Sequence, residues 1–302
     1  MKSNRILAVG SVALDSVETP FGKVKDALGG SATFFSASAR FFAPVSIVAV
    51  VGKDFPPKYL SKIKRLGVHT QGIESRIGQT FRWQGLYHFD LNNAQTLKTQ
   101  LGVFQTFKPI ISEENKKSEV VFLANIDPDI QHLVLEQARK PLLTACDTMN
   151  YWIKNKKPSL VRLLRKVNIF LCNDSEAREF SGEYNLIRAS RAILKMGPKL
   201  VVIKKGEHGV ICFANDFVFL APAVLLEKVF DPTGAGDSFA GGFIGYLSRH
   251  PVLSQQNVRR AVIYGSVLAS YNVESFSLDR IAKLTKSEIE KRYRQFRSMT
   301  RF

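Results

Sequence analysis

The sequence has 302 residues, 45% hydrophobic and 23% charged, a globular composition with enough chain for a sizeable core. No apolar run approaches the roughly 18 residues of a membrane span, and the three scattered cysteines (Cys146, Cys172, Cys212) form no C-x-x-C pair. A disulfide framework is therefore not expected and a reducing cytoplasm is. The net charge of +17 raises the question of a nucleic-acid partner.

Taken in chain order, strand and helix signals alternate. The opening "MKSNRILAVGSVALDSV" is read as a first strand rather than a signal peptide, because its apolar run is short and Asp15 ends it. "GGSATFFSASARFF" predicts a helix, "VSIVAVVG" a buried strand, and "PPKYLSKIKRLG" an amphipathic helix stopped by Gly67. Between about 76 and 108 the period changes. "TFRWQGLYHFDL" and "TLKTQLGVFQTF" carry β-branched and aromatic residues in partial alternation, which predicts an antiparallel excursion.

Alternation then resumes. "SEVVFLANI", "LLTACDT", "NIFLCND" and "KLVVIKKG" are strands; "PDIQHLVLEQAR", "KPSLVRLLRKV", "SEAREFSG" and "LIRASRAILKMG" are helices; "HGVICFAND" with "DFVFLAPA" is a hairpin. The basic runs at 154–166 and 291–301 read as solvated helix faces, with no zinc-finger, RNP or helix-turn-helix pattern, so nucleic acid is not the expected partner. Short apolar strands alternating with helices predict an α/β fold, a parallel sheet covered on both faces. Ligands of such sheets bind beyond the carboxyl ends of the strands, which collects Asp15, Asn125, Asp127, Asp147, Asn173, Lys205 and Asp231 as candidates.

"DPTGAGDSFAGGF" (231–243) carries the most chemistry. Gly234 and Gly236 let successive backbone N–H groups face one concavity, and a helix start adds unpaired donors and the positive end of its dipole. Asp237 stands at the mouth of this anion hole. A carboxylate beside a site for negative charge makes sense if a substrate hydroxyl comes between them, giving up its proton to Asp237 while the amides hold a phosphoryl group in transfer. Walker and dinucleotide glycine motifs do not fit this spacing. Gly241, Gly242 and Gly245 read as helix-packing glycines.

This stretch resembles the C-terminal signature of the ribokinase-like carbohydrate kinases, the PfkB family. Companion features follow in order along nearly the whole chain. "GSVALDS" is similar to the first strand whose acid, here Asp15, holds substrate hydroxyls; "ALGGSATFF" is similar to the double-glycine substrate segment, matching Gly29 and Gly30. "NDSE" matches the N-x-x-E motif at Asn173 and Glu176, and "IKKGEHG" the nucleotide-side strand end at Lys205, Gly206 and Gly209. The resemblance implies a doubly wound, mostly parallel sheet with helices on both faces plus a small β-sheet lid. It implies one domain over 1–302, with the lid from about 15–30 and 76–108.

The activity it implies is ATP-dependent phosphorylation of a hydroxyl on a small sugar or polyol. Asp237 would be the base and the amides of Gly234, Ala235 and Gly236 the anion hole. Magnesium would be held through water by Glu176. Asp231 and Thr233 occupy positions that bind a monovalent cation, K+, in some members, and the lid invites a homodimer. Two departures blur the acceptor: Phe34 and Ala13 stand where asparagines hold sugar hydroxyls in ribokinases. A nucleoside kinase is the alternative, and a non-catalytic nucleic-acid-binding or regulatory protein on the same fold the third reading. Asn125, Asp147 with Asn150, and the lid residues Arg82, Trp83 and Tyr87 complete the candidates.

Overall fold

The computed structural model describes residues 4–92 and 94–300; Arg301, the end of the second basic run, lies outside them. The chain begins with β1 (Ile6–Val9), β2 (Ala13–Thr19), β3 (Gly22–Gly29), α1 (Ser31–Ala39), β4 (Val45–Gly52), α2 (Pro57–Arg65), β5 (His69–Arg76), β6 (Arg82–Tyr87) and β7 (Ala94–Gln100). It continues with β8 (Val120–Leu123), α3 (Pro128–Gln137), β9 (Leu143–Cys146), α4 (Asn150–Asn155), α5 (Lys157–Leu164), β10 (Ile169–Asn173), α6 (Asp174–Ser181) and α7 (Leu186–Leu194). Next come β11 (Leu200–Lys204), β12 (Val210–Ala214), β13 (Val218–Ala221), α8 (Ala235–Arg249), α9 (Gln255–Asn272), α10 (Asp279–Lys283) and α11 (Lys286–Met299).

The large sheet has the order β13-β12-β11-β10-β9-β8-β1-β4-β5, parallel except for the β12 and β13 edge. Strands β1, β4, β8 and β9 are buried along their whole length, as expected of apolar strands covered on both faces. Side chains alternate across the sheet. Ile6, Ala8, Ile47 and Ala49 join the core under α1, α8 and α9; Leu7, Val9, Val48 and Val50 join the core on the opposite face. Strand β1 pairs with β4 on one side and β8 on the other, so the order reverses there. That reversal is where open α/β sheets bind ligands.

The small sheet has the order β3-β2-β6-β7. Here the structure corrects the reading of the first strand. β1 stops at Val9, and Ala13–Thr19 is a separate strand of the small sheet. Asp15 is therefore not at the carboxyl end of β1 but inside β2. The break is held by paired serines: the Ser31 amide donates to Ser11 Oγ at 2.9 Å, and the Ala32 amide to Ser11 O at 3.1 Å. Residues 102–106 form a 3-10 turn whose Val103 and Phe104, with Phe107, enter the large sheet's core, so the small sheet ends before the expected 108. Strand β5 gives no strand signal in the sequence because "HTQGIESR" is mostly polar, as an edge strand allows.

Helix α8 lies in a tight cleft between α1 and α9. A side-chain carbon on Gly242 would stand 2.6 Å from Tyr264 O, and one on Gly241 would meet Phe35 O. These two glycines thus set the depth of the helix that presents Asp237. Gly242→Ala should lower unfolding free energy by about 1–3 kcal/mol, the usual cost of overpacking. Urea unfolding checks this; an unchanged midpoint would mean α8 has room to shift.

Candidate functional site

The site gathers at the carboxyl ends of β1, β8, β9 and β11 and at the first turns of α1, α6 and α8. Gln131 on α3 ties the strand ends together, its Nε2 donating to Leu123 O, Ala124 O and Asp147 O at 3.1, 2.9 and 3.0 Å. Nothing in the sequence singles Gln131 out, because a glutamine on an amphipathic helix carries no motif.

Gly234 caps α8 in the left-handed region at φ 76°, and the Phe34 ring lies where any side chain on it would go. Phe34 is therefore a fully buried wall between the starts of α1 and α8, only 2% exposed. The Ala235 amide donates to Pro232 O at 3.0 Å. It closes the turn, which corrects the expectation of three free amides. The amides of Gly234 and Gly236 have no hydrogen-bond partner among the described residues.

Asp237 stands in the first turn of α8, partly buried. Burial pushes its carboxyl up to about 7, with the charge of Asp147 adding to the rise and Lys204 opposing it. Lys204, at the end of β11, donates from Nζ to Asp147 Oδ2 at 2.6 Å. A side-chain carbon on Gly236 would lie 3.1 Å from the same Nζ. Of this lysine pair the motif points to Lys205. The structure instead turns Lys204 into the site and makes Lys205 the residue before a 3-10 turn, its amide donating to Gly209 O at 2.8 Å. Gly206 and Gly209 complete that loop, and Asn92 of the small sheet's β6–β7 connection reaches it through Glu207 at 2.7 Å.

On the other side, Asp15 is 7% exposed and accepts from the Gly30 amide at 3.3 Å. Its carboxyl oxygen fills the place of a side chain on Gly29, which explains the double glycine, and Gly30 at φ 98° packs on Ser11. Burial raises Asp15 to about 7; the Gly30 amide opposes this, and the charges of Asp231 and Asp237 add to it. A small pocket is lined by Asp15, Asp231, Thr233 and Ser277 on its polar side and by Val17, Val24, Ala27, Leu28 and Phe34 on its apolar side. Tyr87 closes it from the small sheet, Oη standing 3.4 Å from Thr233 Oγ1. Of the three lid candidates only Tyr87 arrives there. Arg82 pairs with Asp54 at 2.7 Å, and Trp83 donates to Thr96 at 3.2 Å.

The remaining candidates divide. Asn173 and Glu176 form a reciprocal capping box at the start of α6, and burial raises Glu176 to about 7 against the opposing charge of Lys204. Asn125 Oδ1 accepts from Trp152 Nε1 at 3.0 Å, which holds it beside α4. Asp127 caps α3, and Asn150 is exposed at the start of α4. Asp231 accepts from the amides of Thr233 at 2.9 Å and Ser277 at 3.3 Å. Each of its oxygens thus accepts one N–H, which ties the turn before α8 to the segment after α9. Among the described residues no group of three His, Cys, Asp or Glu is arranged to hold a metal ion, and no helix is long and apolar enough to cross a membrane.

Comparison with known proteins agrees with this geometry. The family model described as pfkB family carbohydrate kinase matches residues 5–283. A cytidine kinase of Thermococcus kodakarensis is 31% identical over 250 residues, covering 81% of this chain and 88% of that protein. A nucleoside kinase of Methanocaldococcus jannaschii is 22% identical over 301 residues, covering 91% and 92%. Among solved structures, the Methanocaldococcus jannaschii nucleoside kinase, described as an archaeal member of the ribokinase family, superposes with a TM-score of 0.78 at 20% identity, covering 97% of this chain and 99% of that one. The Burkholderia thailandensis nucleoside kinase, in a complex described as ADP-inosine, gives 0.77 at 17%, covering 96% and 95%.

Asp15 also sets a pH dependence of stability. Its folded value of about 7 lies above its ordinary 3.8, so the unfolded chain loses this proton first as pH rises. Asp15 therefore costs stability progressively as pH climbs between those values. Asp231, Asp237 and Tyr87 face it and titrate in the same field. Asp15→Asn should flatten the wild-type decline; parallel curves in urea unfolding across that window would show the carboxyl is already ionised.

Proposed function

The chain belongs to the pfkB family of carbohydrate kinases, and on that premise we propose that it transfers the γ-phosphoryl group of ATP to a hydroxyl of a nucleoside. The acceptor hydroxyl gives its proton to Asp237 while its oxygen bonds to the γ-phosphorus. The bond from that phosphorus to the bridging oxygen breaks, and its electron pair leaves with ADP. The free amides of Gly234 and Gly236 receive the charge of the transferring group. Asp15, fixed by Gly30, accepts from ribose hydroxyls.

One observation carries the choice of nucleoside: the pocket beside Asp15 has five apolar walls, Val17, Val24, Ala27, Leu28 and Phe34. A free polyol would leave its hydroxyls unpaired against them, whereas a base presents an apolar face. The cytidine kinase and nucleoside kinase relatives support the same choice. A small free sugar is the second reading, favoured by the polar side of the pocket, where Asp15 and Thr233 meet hydroxyls. A carboxylate beside free amides has no use in a nucleic-acid binder, so the +17 charge is assigned no partner.

Magnesium would enter with the nucleotide, held mainly by phosphate oxygens and water. The chain fits that form, because only one oxygen of Glu176 is engaged, by the Asn173 amide at 2.7 Å. When bound it neutralises phosphate charge. The loop at Lys205, Gly206 and Gly209 lies on the nucleotide side. The buried free thiols of Cys146, Cys172 and Cys212 suit a reducing cytoplasm.

ATP turnover over a panel of cytidine, uridine, adenosine, inosine, ribose and fructose tests this reading. Pyrimidine or purine nucleosides should show the highest kcat/KM, and Asp237→Asn should lower kcat by about 10²–10⁴. Turnover of free sugars alone would move the assignment to the second reading. Full activity in Asp237→Asn would remove the proposed base.

A further inference from the structure

The base and the amides use only part of the charge gathered at this site. Behind the turn of α8, Lys204 faces three carboxylates from three elements: Asp147 after β9, Glu176 on α6 and Asp237 on α8. The Lys204 side chain is 17% exposed and that of Asp147 4%, the most buried ion pair among the described residues. Such a pair is weak evidence for stability, since well-packed apolar residues often serve as well. Its place suggests another use. Nζ occupies the space beside Gly236, 3.1 Å from where a side-chain carbon on that residue would lie.

The anion hole is also short of donors. The Ala235 amide is taken by Pro232 O, which leaves two amides for a transferring group whose charge spreads over three equatorial oxygens. We propose that Lys204, steered by Asp147, supplies the missing positive charge to the phosphoryl group in transfer, making it a cationic arm of the anion hole. This rests on the kinase reading above. An ammonium suits this role because it has three N–H donors, of which one goes to Asp147 Oδ2. The others remain for phosphoryl oxygens, which a lysine meets as a point charge. Lys204 exchanges no proton in the step; the acceptor's proton goes to Asp237 as before.

The same ammonium biases the base. It lowers the Asp237 pKa against burial and Asp147, while burial alone would lower that of Lys204 and the three carboxylates hold it charged. Loss of Lys204 should therefore act twice, on the rate and on the pH at which Asp237 is ionised. Asp15 and Tyr87 also face Asp237 and remain in place.

The test compares wild type, Lys204→Met and Lys204→Arg in steady-state kinetics across pH with the best acceptor of the panel. Lys204→Met should lower kcat by about 10²–10³, the usual loss of one donor to developing charge, with a much smaller change in acceptor KM. Its acidic limb should move to higher pH. Lys204→Arg, which keeps the charge, should recover about tenfold or more of the lost kcat and restore the limb. Should methionine unfold the protein, Lys204→Gln keeps a donor for Asp147 and carries the same comparison. A neutral variant with wild-type kcat and an unmoved limb overturns the proposal. So does equal loss in the methionine and arginine variants, which marks a packing role. The kinase reading fails separately, if wild type binds ADP yet turns over no acceptor.

Discussion

The starts of α1 and α8 meet face to face, and the rest of the site is arranged around that contact. The Phe34 ring occupies the space a side chain would need at Gly234, so the left-handed turn and the aromatic wall require one another. The turn leaves the amides of Gly234 and Gly236 without a partner among the described residues. The wall lies between the Gly234 turn and the pocket beside Asp15. Below the contact, close packing of α8 between α1 and α9 fixes its depth, and the paired serines at 11 and 31 pin α1 to the end of β1. A change at any of these points would move Asp237 relative to Asp15, and phosphoryl transfer depends on that separation.

Local features are legible in the sequence, and those that depend on parity or on a change of sheet are hidden. "TGAGD" is legible because only glycine adopts the turn and only an acid makes chemical sense beside it. The double glycine is legible as a motif, but its cause, the Asp15 carboxyl lying on Gly29, needs two strands in register. A sequence reading puts Asp15 at the end of the wrong strand because "ILAVGSVALDS" looks like one apolar run. The interruption is made by hydrogen bonds from residue 31, which no local window contains. Lys204 and Lys205 are adjacent and opposite in facing, and an alternating strand does not announce which parity meets the site. Phe34 is visible as a departure, but its role as a buried wall follows only from where α8 begins.

The carboxylates give the molecule a conflict between folding and function. Asp15, Glu176 and Asp237 are all pushed up to about 7 by burial, so each is partly protonated near neutrality. Asp15 feels the charge of Asp237, and the Lys204 ammonium offsets burial at Glu176 and Asp237. A protein selected for stability alone would replace them with apolar residues. Burial of three such groups with raised pKa values is the pattern expected of a site that handles a ligand.

The small sheet is fastened to the rest of the chain at several points, among them Arg82 with Asp54, Asn92 with Glu207, and a short segment after α9. Ser277 donates from Oγ to Leu28 O at 2.5 Å and from its amide to Asp231, while Tyr87 reaches Thr233 from the other side. The pocket they enclose has no space for a water molecule. An acceptor of the proposed kind must part these contacts to reach Asp15. The strength of the Ser277 and Tyr87 contacts therefore enters the binding free energy of any acceptor that reaches Asp15.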